Sequence, residues 1–215
     1  MTKNPKEPLL YRLLAKVLAK PFIRERLIGW VQDKPYFTLY DLDNQYVYMR
    51  RWWLVPHFAL ERKQGYAGNP DYYQPKPWWP FRWRIHQILR ADYDRHYHNH
   101  PTAYRTFILD GWYQELSPDP DCRFASATVM GDLQFGKVEA FIAGMTAYRP
   151  ATHWHTIKEV SGEKRLQYEQ SILPTDGVWT LFCMSNKDRE CWGFLVDGQM
   201  VNSVTYFERQ QKERT

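Results

Sequence analysis

From residue 81 onward the chain is a succession of short β-type runs, "FRWRIHQILRAD", "YRTFILDGWYQEL", "KVEAFIAG", "THWHTIKEV", "VWTLFCMS", "ECWGFLVDG" and "QMVNSVTYF", parted by turns and with no helical segment between them. Strands spaced this regularly bury their apolar faces against one another, so the pattern predicts an all-β sandwich or barrel. Upstream, "YFTLYD" and "YVYMRRWWLVP" read as a hairpin around Asp43-Asn44. The stretch "QGYAGNPDYYQPKPWWP" (64–80) reads as a long loop whose rings must pack down or bind something. Aromatic residues make up 17% of the chain and 14 prolines punctuate it, which disfavours long helices. At 215 residues, one main domain with a substantial core is expected.

Residues 8–32, "PLLYRLLAKVLAKPFIRERLIGWVQ", break the β pattern. Leu10, Leu14, Val17 and Leu18 recur at helical spacing, and Pro21 ends one helix and starts a second. Arg12, Lys16, Lys20 and Arg24 interrupt every apolar stretch, so neither a signal peptide nor a transmembrane segment is expected. Packing on the barrel or across a homodimer interface is the expectation, and lying on an acidic membrane surface the alternative. The expected organisation is an N-terminal helical extension (1–35), a barrel domain (36–207) and a polar tail (208–215).

The net charge of +5 and pI near 9.0 admit an acidic partner, but the basic residues are spread along the whole chain and select none. Cys122, Cys183 and Cys191 form no CxxC pair. Three such thiols predict a reducing, cytoplasmic setting and no thiolate metal site.

The segment "DRHYHNHPTAYRTFILDGWYQE" (94–115) sets His96, His98 and His100 at alternating positions. A strand turns residues two apart to one face, about 6.6 Å from each other. Metal–nitrogen bonds of about 2.0–2.1 Å then need further ligands from elsewhere in the fold. Any exposed strand can supply an HxH by chance. A second histidine pair, His153 and His155, lies downstream in "GMTAYRPATHWHTIKE".

At these two segments the chain resembles the cupin superfamily. His98 and His100 match the HxH of the family's first motif, Tyr104 stands in its glutamate slot, Gly111 matches its final glycine, and Asp92 replaces its opening glycine. In the second motif Gly144, Pro150 and His155 match, while Thr152 and Glu159 replace a glycine and an asparagine. The resemblance covers residues 81–196. It implies a double-stranded β-helix, or jelly-roll barrel, in which His98, His100 and His155 hold a divalent transition metal. With tyrosine in the carboxylate slot, the implied site of three neutral histidines is similar to that of the thiol dioxygenase branch. Iron, zinc, nickel, manganese or copper would suit such ligands. The pattern "YMRRWWLVP", "HNHP" and "WTLFCM" before "WGF" also looks like small cupin proteins of bacteriophages and prophages, which implies a host cytoplasm.

Around that centre, Tyr104 and His96 are candidates for acid–base or positioning work. Arg50, Arg84 and Arg105 are candidates for bidentate contacts with an anionic substrate if they point inward, and His86 is a pocket candidate. His153 competes with His155, which the motif spacing selects. Trp179 and Trp192 are expected to line or cap the barrel, with Asn186, Lys187 and Asp188 in a hairpin turn. The expected function is a metal-dependent enzyme, dioxygenase-, isomerase- or lyase-like, acting on a small polar or anionic molecule. The alternative is a non-catalytic protein that captures a small ligand, a host protein or nucleic acid. Nucleic acid has "MRRWW" and "PWWPFRWR" in its favour, as stacking platforms beside arginines, but no recognised binding motif.

Overall fold

Two antiparallel sheets form the centre of the structure, and the described residues of this computed structural model are 7–31, 37–40, 45–63, 72–92, 95–118, 136–162, 177–185 and 191–212. The Asp43-Asn44 and Asn186–Asp188 turns, loop residues 64–71 and Cys122 lie outside them. Helices α1 (Leu9–Leu18) and α2 (Pro21–Val31) precede the strands β1 (Phe37–Tyr40) and β2 (Val47–Trp53), which pair as the expected hairpin. There follow β3 (Leu60–Lys63), β4 (Tyr72–Pro75), β5 (Phe81–Ile88), β6 (Tyr104–Asp110), β7 (Trp112–Ser117), β8 (Lys137–Ile142) and β9 (Thr146–Arg149). The chain closes with β10 (Thr156–Val160), β11 (Val178–Ser185), β12 (Gly193–Val196), β13 (Gln199–Asn202) and helix α3 (Ser203–Lys212). The large sheet has the order β1-β2-β5-β11-β6-β9 and the small one β10-β7-β8, with β12-β13 and β3-β4 as separate hairpins.

The large sheet is buried on both faces, and strand alternation sorts its residues between them. Met49, Ile88, Ile108, Ala147 and Val178 point toward the small sheet, where Tyr113, Phe141, Ile157 and Val160 meet them in one core. Trp52, Ile85, Phe107, Leu109, Trp179 and Leu181 point the other way, under α1 and α2, with Ala15 and Val31. Trp179 therefore stacks on Trp52 (centroids 5.3 Å apart) beneath the helices and lines no barrel interior. Burying side chains of this size contributes about 1.5–3 kcal/mol each. That is why the N-terminal helices belong to the core.

Two departures from the expected strands have local causes. The run "YRTFILDGWYQEL" is two strands, because Gly111 adopts a left-handed φ of +73° and turns the chain between β6 and β7. A side chain there would collide with Ser161 Oγ. Gly144, at φ +85°, does the same between β8 and β9. At the C-terminus, strand character was expected to run on to Phe207, but the chain enters α3 at Ser203. Asn202 Oδ1 accepts the backbone N–H of Val204 at 3.0 Å, a helix N-cap, and the Tyr206 ring stacks on Phe194 at 3.9 Å. The architecture is thus mostly β, as expected, with the expected helices at the N-terminal end of the described chain and a further helix, α3, near its C-terminal end.

Candidate metal centre

The segment carrying His98 and His100 is not a strand of either sheet, but it is clamped from two sides. His98 and His155 exchange both backbone hydrogen bonds (2.9 and 3.0 Å), so their side chains emerge as neighbours on one face. On the other side Leu195 N–H donates to the Tyr97 carbonyl at 2.8 Å, and Asn99 Oδ1 accepts from Gly193 N–H at 2.8 Å. Asp92 anchors the approach: its N–H donates to Ile157 O and its Oδ2 accepts Ile157 N–H, at 2.8 and 3.1 Å.

The histidines so positioned converge. One ring nitrogen from each of His98, His100 and His155 lies within 4.8 Å of the others. His100 Nε2 and His155 Nε2 are 3.1 Å apart, and the Tyr104 hydroxyl is 3.3 Å from His155 Nε2. Two protonated nitrogens would repel at that distance, so at least one presents its lone pair. Bonds of about 2.0–2.1 Å to a shared ion at a near-tetrahedral angle place two nitrogens about 3.3 Å apart. Burial, followed by the neighbouring His155, depresses the pKa of His98 to about 3 and that of His100 well below the usual value. Both side chains keep part of their surface open to solvent, yet His98 Nδ1 itself is buried without a hydrogen-bond partner. Neutral imidazoles with an orphaned nitrogen are what a divalent cation requires of its ligands, and the donor set fits one.

His155 has a further feature that the sequence reading missed. Glu115 on β7 is buried, and its Oε2 lies 3.3 Å from His155 Nδ1, near enough for a charge contact but poorly aligned for a hydrogen bond. Oε1 of the same carboxylate meets His153 Nε2 and Arg149 Nε, each at 2.9 Å. Burial opposes ionisation, but His155, His153 and Arg149 overcome it and hold Glu115 well below the usual carboxylate range. An anionic Glu115 favours the proton of His155 on Nδ1 and leaves Nε2 facing the centre. The signal was in "WYQELS": alternation puts Glu115 on the buried face with Tyr113, and a buried carboxylate needs partners.

No protein-family model matches the chain, and no curated protein matches it. Among solved structures it is similar to a cupin 2 conserved barrel domain protein from Rhodopseudomonas palustris, at 15% identity over 73% of this chain and 86% of that one, with a TM-score of 0.34. It is similar also to FeII HppE (13%, covering 70% and 65%, TM-score 0.34) and to the DMSP lyase DddQ from Ruegeria pomeroyi DSS-3 (13%, covering 89% and 76%, TM-score 0.38). Scores this low carry no weight, and the functional reading rests on the residues of the cluster.

The other expected site residues divide between the two faces of the large sheet. Tyr104 is in the cluster, stacked on Phe182 at 4.5 Å, with burial and then Glu115 keeping its phenol protonated. His86 stacks on Phe182 at 4.8 Å on the same face, its Nε2 buried without a hydrogen-bond partner. Arg84 is two residues away on that face, its guanidinium 4.2 Å over the Trp53 ring. Arg50 and Arg105 lie on the opposite face of the sheet. Arg50 shares the outer face with Trp52 and bonds Gln87 Oε1 at 3.2 Å, whereas Arg51, opposite His86 in the β2–β5 register, faces the histidines. Arg105 alternates with Tyr104 and so lies outward, pairing with Glu7 and covering the Tyr11 ring. His96 also leaves the cluster: its Nδ1 is 3.0 Å from the Tyr206 hydroxyl of α3. A shallow depression lined by Asp110, Gly111, Ser161, Gly162 and Gly177 lies at the far end of β6 from Tyr104 and contains none of the histidines.

Proposed function

We propose that this is a cupin-type jelly-roll protein whose His98, His100 and His155 hold a divalent transition metal, and that it is an enzyme acting on a small polar or anionic molecule. The observation that carries the reading is the convergence of three histidine nitrogens beside a carboxylate that orients one of them. A bound ion would supply a Lewis-acid or oxygen-binding centre with positions left open for a small ligand. The chain's own residues supply the rest. Glu115 holds the His155 ring, and Tyr104, kept neutral, offers a hydroxyl proton beside His155 Nε2. Arg51 and His86 give the same face a cation and an imidazole, which suit an anionic or polar ligand. The cytoplasmic setting and the phage-type resemblance belong to this reading and rest on the sequence.

Metal content tests it. His98→Ala or His155→Ala should lose most bound metal, since two remaining ligands hold a divalent ion poorly against water. Tyr104→Phe should retain the metal while lowering turnover. Unchanged metal in both histidine variants would place the ion elsewhere and end the proposal.

A further inference from the structure

Helix α1 meets the sheet with one side only. Ala15 is fully buried there, Leu18 is half-buried, and the Tyr11 ring packs 6.5 Å from Phe107 of β6. The other side carries Leu9, Leu10, Leu13, Leu14 and Val17, which are 66%, 71%, 52%, 40% and 45% exposed. At 3.6 residues per turn these five fall within an arc of about 140°. Arg12 and Lys16 border that arc, and Lys20 follows it; among the described residues none of the three makes an ion pair. The next helix adds exposed Phe22 and Trp30, with the Arg26 guanidinium 4.3 Å over the Phe22 ring.

We propose that α1 docks the protein, lying flat, on the surface of an anionic lipid bilayer. An apolar stripe edged by cations, with aromatic residues close by in sequence, matches the boundary between acyl chains and acidic headgroups. Among the described residues no helix is long and apolar enough to cross the bilayer, and α1, at 10 residues, is about half the length a span needs. A second copy fits less well. Five exposed side chains on one ten-residue helix fall short of the roughly 20–30 residues a side of a stable interface. A symmetric pair would also bring Arg12 and Lys16 toward their own counterparts, an unfavourable like-charge contact.

Flotation of the full chain with vesicles tests this, using pure phosphatidylcholine or an equal mixture of phosphatidylcholine and phosphatidylserine. The full chain should bind the mixture and not the pure vesicles, and added salt should release it. Arg12→Glu with Lys16→Glu should weaken binding by about fivefold or more per charge. Leu10→Glu with Leu13→Glu, at positions outside the core, should abolish it while circular dichroism and metal content stay unchanged. Absence of binding to the mixed vesicles, or binding that survives the leucine variant, would overturn the proposal. So would sedimentation showing a dimer that the leucine variant dissolves, without vesicle binding, since the stripe would then be covered by a second copy.

Discussion

Arg50 and Arg51 show how a single step along β2 decides which charge meets the site. Both are legible in "YMRRWW", but which one faces inward depends on register against β5, and Tyr48 is an extra residue opposite the Leu39–Tyr40 step of β1. The resemblance to two short family motifs reached His98, His100, His155 and Tyr104, because each motif is local to one segment of the sequence. It missed Glu115 because the need for that carboxylate comes from Arg149, His153 and His155, which the fold brings to it. Two outcomes follow. Glu115→Gln should keep the shape but weaken metal affinity about 10–100-fold, the usual effect of removing a group that orients a ligand, as read by chelator competition. Glu115→Ala should also destabilise the fold by about 1–3 kcal/mol in urea unfolding, because the buried Arg149 loses its 2.9 Å partner and keeps only the longer contact to Glu139 at 3.3 Å.

At the scale of elements, periodicity reached the N-terminal helices, the β1–β2 hairpin and most strands, since those depend on patterns within one segment. Helix α3 was hidden because "VTYF" has strand composition; the Asn202 cap and the stacking of Tyr206 on Phe194 outweigh it. Strand β9 escaped notice because its four residues are hemmed in by Gly144 and Pro150, which read as turn signals. Phe194→Ala should therefore cost about 3–5 kcal/mol, since its fully buried ring joins α3 to the His98 segment. Loss of helical signal and a lowered urea midpoint should appear together. Retention of both would mean that α3 is held by other contacts.

The molecule gathers neutral histidines and the buried carboxylates Asp92 and Glu115 into one region, and that fixes the sign of its response to acid. His98 has a folded pKa of about 3 against about 6.5 unfolded, so between those values the unfolded chain binds a proton that the folded one refuses. Glu115, depressed well below 4.5, contributes stability that is present above its unfolded pKa and lost as pH falls through the folded one. Metal-free protein should thus lose Tm as pH drops from about 6.5 toward 3 and change little above it on account of these groups. Thermal scans across that range would check it. The most direct measurement of the central claim is a titration of metal-stripped protein with cobalt(II), followed by its visible absorption. The three-histidine account predicts saturation at one equivalent with a band of low-coordinate cobalt, absent in His155→Ala. A featureless titration without saturation, or one that is identical in His155→Ala, would contradict it.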